Sequence, residues 1–149
     1  MRSKPGERYL ETAISTTSKE DLIVKTFDVL ILASQQALSR MQADLGDIEG
    51  IHRALLRAQR AIAALMGALD MEIGGELAVN LFRVYEFWHH ELVMANMSKD
   101  MERLSRVIPY FVEYRQTWAE AVTQFKAMQR QNADASQAMV AGASFAAVG

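Results

Sequence analysis

The chain has 149 residues, half of them hydrophobic, and a formal net charge of −2, enough to bury a single core and without the Lys/Arg density of a nucleic-acid face. It contains no cysteine, which excludes disulfides and thiolate-bound metals. The polar start, Met1 to Glu7 with Pro5 and Gly6, lacks the apolar stretch of a signal peptide, and no uninterrupted apolar run nears the roughly 20 residues that cross a bilayer, so the cytoplasm is the expected compartment.

In chain order, Tyr9, Leu10 and Ile14 are apolar residues in a short stretch ended by Ser15-Thr16-Thr17-Ser18. They are either a frayed end or a lid over an apolar groove. Ser18 with Asp21 resembles a capping box, so a first helix is expected from about Lys19 to about Gln42. Its stripe is Ile23, Phe27, Leu30, Ser34, Ala37 and Met41, and its centre, Val29 to Ala33, is apolar all round. Such a centre should be buried on more than one side. Gly46 and Gly50 bracket a connection with Asp47 as a candidate N-cap. The second helix carries Ile51, Leu55, Ala58, Ile62, Leu65 and Leu69 at spacings of four and three, the pattern of facing bundle helices. Gly74-Gly75 reads as its terminating turn.

The third helix, about Glu76 to Asn96, has the stripe Leu77, Leu81, Val84, Trp88, Leu92 and Ala95, with Val79, Phe82, Tyr85 and Phe87 outside it. The fourth carries Leu104, Ile108, Phe111, Arg115, Trp118, Val122 and Phe125, and Pro109 predicts a kink inside it. Strand signals are absent and connections are short. The expectation is an all-α, antiparallel up-down four-helix bundle over residues 18–131. A lid segment would occupy 1–17 and a mobile, disordered tail 132–149.

The segments hold more apolar residues than one stripe per helix needs, which points to a surface kept for another chain. On angular position, the flank residues Val24 and Ile31 (helix one), Leu56, Ala63 and Met66 (helix two), and Val79 and Phe82 (helix three) are the candidate groove. Nine methionines add adaptable side chains.

Candidate chemistry is thin. Glu49/His52 and Glu86/His89 have the Glu-x-x-His spacing of di-metal bundles. One pair straddles a helix start, the other lies mid-helix, and helix one has no mid-helix Glu, so no metal or other cofactor is expected. His90-Glu91 opens a zincin-like pattern that fails at Met94. Arg115 lies in an apolar stripe. It is expected either as a buried charge paired with Asp28 or Glu72, or with its stem over Trp118 and its head in solvent.

Leu56 to Ile62 is similar to a Leu-x-Ala-Gln-x-Ile block. Leu69 to Glu76 forms an acidic, glycine-containing turn, followed by Asn80-Leu81, Tyr85, Leu92 and Ala95-Asn96. Asp100, Leu104, Val107 and Arg115 to Ala121 come next, with Tyr9, Thr17 and Leu22 upstream. In this order and spacing, from about Tyr9 to about Phe125, the chain resembles the flagellar secretion chaperones of the FliS family. It departs from them at Phe27-Asp28-Val29, where the family often has Tyr-Asp-Gly or Tyr-Asn-Gly.

The resemblance implies a non-enzymatic cytoplasmic chaperone. It would hold the C-terminal helical segment of flagellin in apolar grooves, prevent premature polymerisation and aid type III export. It also implies a lid role for Tyr9, Leu10 and Ile14 when no client is bound, and for some members binding to the export gate or an anti-sigma factor. The alternatives are a homodimeric structural bundle or a di-metal enzyme. A monomer or weak homodimer is expected without client, with no nucleic acid or membrane partner.

Overall fold

The computed structural model describes residues 18–148, with side chains to 143. Its elements are α1 (Lys19–Ala43), α2 (Ile48–Gly67), α3 (Met71–Ser98) and α4 (Met101–Val148), with no strand among the described residues. Each helix packs on two neighbours in the cyclic order α1, α2, α3, α4, with α1–α2 the most extensive seam and α3–α4 the least. This is the expected up-down bundle.

The helix starts follow from local chemistry. The Ser18 hydroxyl accepts the Asp21 N–H at 3.2 Å and donates to the Asp21 carboxylate at 2.8 Å. Asp47 accepts the Gly50 N–H, and Asp70 accepts those of Glu72 and Ile73. Asp100 accepts the N–H of Arg103. A carboxylate in this position satisfies an orphan donor and complements the helix dipole.

The stripes expected on α1 and α2 form the core almost residue for residue. Phe27, Leu30, Ser34, Ala37 and Met41 are buried against Ile51, Leu55, Ala58, Ile62 and Leu65. Ile23 and Leu69, at the stripe ends, are half-buried. Five expectations change. Val29 and Leu32 are exposed, so the centre of α1 is buried on one side only. Its averaged hydropathy makes α1 long and apolar enough to cross a membrane by length and composition, yet its inner stripe is sealed in this core.

On α3 the stripe shifts by one residue. Ala78 and Tyr85 are buried ahead of Trp88, while Leu77 is 67% exposed. The expected turn at Gly74-Gly75 moves too: α2 ends at Gly67, α3 starts at Met71, and Gly75, with φ of 53° and ψ of −132°, bends α3 near its start; a positive φ costs glycine little.

Arg115 and Asp28 do pair, Nε to Oδ1 at 2.9 Å, but their side chains are 38% and 52% exposed. The charge is therefore not buried. It bridges α1 and α4 at the surface, because a guanidinium on a long stem reaches water more cheaply than it desolvates.

Finally, α4 passes through Pro109 and continues to Val148 instead of ending near Arg130. Pro109 and Ser105, whose carbonyl loses its donor, are both exposed, so water can replace the missing bond. Alanine, glutamine and methionine beyond Arg130 are sound helix formers, but every residue from 127 to 143 is exposed.

Aromatic rings fill the middle of the bundle. Trp88 meets Phe111 at 5.0 Å and Tyr114 at 4.8 Å, both near perpendicular, and Tyr85 at 5.5 Å. Burial pushes the Tyr85 hydroxyl up to about 12, with the Trp118 side chain opposing the shift and Tyr114 adding to it. The one buried polar side chain without a partner among the described residues is the Ser34 hydroxyl.

Two stability predictions follow from these groups. Ser34→Ala should raise unfolding free energy by about 1 kcal/mol, since an unpaired buried hydroxyl is a net cost; urea titration showing no gain would contradict this. Tyr85 holds its proton more tightly when folded, so its contribution is complete below the unfolded pKa of about 10. It is lost as pH rises through the folded value of about 12. Relative to Tyr85→Phe, the wild type should lose on the order of 2–3 kcal/mol across that window, and parallel stability curves would refute the assignment.

Candidate functional site

Near the α3–α4 hairpin the two helices are held together. Arg103 Nη1 lies 3.2 Å from Glu91 Oε1, and the rings of Trp88, Phe111 and Tyr114 close the next level. Towards the other end they part. A cleft of about 530 Å³ opens between them, lined by Leu77 and Leu81 of α3 and by Glu113, Tyr114, Thr117, Trp118 and Ala121 of α4. A smaller cavity of about 200 Å³ shares Leu77, Leu81 and Trp118 with it. Ile23, Leu65, Leu69 and Ala78 extend the apolar lining inward, with Tyr85 at its floor.

The local sequence explains the opening. The Gly75 bend turns the first residues of α3 aside, leaving Ile73 87% exposed and Leu77 at the rim. Across from it Ala121 offers only a methyl group where a bulky residue would fill the gap. Lys126 clamps α4 to the start of α1, its Nζ 2.6 Å from Asp21 Oδ2. That hydrogen bond, with the Ser18 hydroxyl second, holds the Asp21 carboxyl below the usual carboxylate range. The clamp stands where residue 18 enters the bundle, at the cleft's own end.

The lining has the chemistry of a surface that takes up an apolar group. It is apolar apart from Glu113 and Thr117, and pairs no nucleophile with a base. The cavity at the α1–α2 hairpin is larger, about 640 Å³, but polar. Its arginines are already engaged, Arg40 with Asp47, Arg53 with Glu49 and Arg57 with Gln36. Of the Glu-x-x-His residues, Glu49 is thus held by Arg53, and the His52 ring is 2.8 Å from the Asn96 amide. Among the described residues no cluster of three His, Asp or Glu could hold a metal.

The residues chosen from sequence lie elsewhere. Tyr9, Leu10 and Ile14 fall outside the described residues. Val24, Ile31, Leu56, Met66 and Phe82 are half-buried, and Ala63 and Val79 are exposed. Ile31 and Met66 pack against the core's edge. They are spread over α1, α2 and α3, and none lines the α3–α4 cleft. Leu77, Leu81 and Trp118, read as core, and Tyr114, Thr117 and Ala121, not among the groove candidates, are its walls. The available signal was Gly74-Gly75, since a glycine that adopts a positive φ, as Gly75 does, bends the chain just before Leu77.

A model of the family described as flagellar protein FliS matches residues 2–125. The flagellar secretion chaperone FliS of Bacillus subtilis is 25% identical over 118 residues, covering 79% of this chain and 86% of that protein. The flagellar secretion chaperone FliS of Salmonella typhimurium is 30% identical over 112 residues, 74% of this chain and 82% of the relative. Flagellar secretion chaperone FliSB of Pseudomonas aeruginosa is 46% identical over 57 residues, 38% of this chain and 45% of its own length. With most of its length matched and an all-helical bundle that carries an apolar cleft, the chain belongs to the FliS family of flagellar chaperones, which serve a client protein and are not enzymes.

Proposed function

We propose that this protein is a cytoplasmic export chaperone that takes the C-terminal helical segment of flagellin into the α3–α4 cleft. It thereby keeps the segment from polymerising and presents it for flagellar type III secretion. The observation that carries the reading is the open apolar seam bounded by Leu77, Leu81, Tyr114, Trp118 and Ala121. An amphipathic helix laid into such a groove buries its apolar face where a fifth bundle helix would sit.

The energetics suit a carrier. A client segment that is disordered before assembly loses about 2–5 kcal/mol on ordering. Burying one large apolar side chain returns about 1.5–3 kcal/mol, so several anchors give firm yet reversible binding. No bond is made, and release needs only a competing surface.

Residues 1–17 join the bundle at Ser18, beside the Asp21–Lys126 clamp and the cleft. Tyr9 stands nine residues before Ser18, within a reach of about 30 Å, and Ile14 closer still. A lid built from Tyr9, Leu10 and Ile14 would compete with the client and lower its apparent affinity by the fraction of open molecules. The half-exposed flanks at Val24, Leu56, Val79 and Phe82 offer further contact to a client that continues around the bundle.

Leu77→Arg and Ala121→Arg should each weaken binding of a flagellin C-terminal peptide by about tenfold or more. Because both positions are exposed, melting temperature should hold. Titration calorimetry with unchanged affinity in both variants would contradict the assignment. Equal losses of affinity and stability would place these residues in the core instead.

A further inference from the structure

The α4 stripe that walls the cleft does not stop where the bundle does. Tyr114, Trp118 and Ala121 line the cleft, and the same alternation of four and three continues through Phe125, Met128, Asn132, Ala135, Met139 and Gly142. One face of α4 therefore runs from the cleft wall onto the free helix without a break in register. Along it Phe125 is 44%, Met128 60% and Met139 75% exposed. The family match ends at residue 125, where the helix leaves the bundle, so the extension is an addition to the shared domain. From residue 127 to 143 the helix is exposed all round and draws nothing from tertiary packing, and a free heptad seam on it is half of an interface.

The chemistry of the seam selects the occupant. A second copy would set Asn132, Ala135 and Gly142 against residues equally small or polar. Only Met128 and Met139 would then supply bulk, where a stable interface needs roughly 1,200 Å² of buried surface. A helix bearing bulky apolar side chains fits instead, because small residues form the holes that large knobs enter. The seam is flanked by Gln129, Gln131 and Ser136, which impose no charge pattern on the partner. From Ala121 to Gly142 the stripe adds about 30 Å at 1.5 Å per residue.

Resting on the chaperone reading above, we infer that the α4 extension is the continuation of the cleft wall and receives the far half of the same client helix. A helix too long for the cleft runs off its open end and pairs with the Met128–Met139 stripe. The contact is apolar, so its contribution is insensitive to salt.

The test compares three full-length or near full-length proteins: the wild type, a chain ending at Gln131, and the double variant Met128→Glu/Met139→Glu. Each is titrated with flagellin C-terminal peptides of two lengths. A peptide of about 15 residues covers the cleft alone, at 1.5 Å per residue, and one of about 40 reaches the extension. The short peptide should bind all three equally, and the long peptide about tenfold more weakly to both variants, at low and high salt alike. Equal binding of the long peptide to all three overturns the inference while leaving the cleft assignment standing. Failure of both peptides to bind the wild type overturns the chaperone reading and this inference with it. A concentration-dependent dimer that is lost in the double variant and indifferent to peptide assigns the stripe to self-association and overturns the inference.

Discussion

The indole of Trp88 sets how far α3 stands from α4. Phe27, Tyr85, Phe111 and Tyr114 all place their rings against it, at 6.4, 5.5, 5.0 and 4.8 Å. Edge-to-face packing of this kind is directional and resists compression. One level further along the seam the chain supplies Ala78, Ala121 and a backbone bend at Gly75 in place of bulk. Helices held apart by rings and then given nothing to fill the space leave a cleft. The remaining features of the site follow from that sequence of large then small.

The same asymmetry explains why this bundle is stable while exposing apolar surface. The α1–α2 half is closed by Phe27, Leu30, Ala37, Met41, Ile51, Leu55, Ala58 and Ile62, all essentially inaccessible to water. Small alanines there let the helices approach closely. That half anchors the fold, so the α3–α4 half can remain splayed. Exposed residues such as Ile73, Leu77 and Phe87 are then affordable in free-energy terms, although an uncovered patch carries an aggregation hazard that a lid or a client would relieve.

How much could be read from sequence divides along the same line. The unbroken four-three spacing of Ile51 to Leu65 marked the core face of α2, and Ser18 and Asp47 marked real helix starts, but Gly74-Gly75 did not mark the end of α2, which is at Gly67. The α3 stripe slipped because Leu77, Leu81, Val84 and Trp88 lie on nearly the same face as Ala78, Leu81, Tyr85 and Trp88, and spacing alone does not tell that Leu77 stands at the rim and Tyr85 in the core. Asp28 was among the partners named for Arg115, but whether the pair is buried depends on where α1 and α4 meet, and spacing within one helix carries no such information. The cleft was invisible for a related reason. It is made by residues on two helices distant in sequence, each individually ordinary, and by a missing side chain at Ala121. Flank residues chosen by angle on single helices could report exposure, but not which seam stays open. The extension beyond Arg130 looked structureless because it lacks a dense apolar run. Good helix formers carry it as helix without packing.

A bundle with one unfinished seam leaves room for a fifth helix, and the proposed function rests on a client segment taking that position. Backbone amide hydrogen exchange on the full-length protein, with and without a saturating flagellin C-terminal segment, tests this most directly. The account predicts slowed exchange in residues 71–85 of α3 and 113–125 of α4, with the α1–α2 hairpin unchanged. Protection confined to the α1–α2 hairpin, or none at the cleft while the client is demonstrably bound, would contradict it.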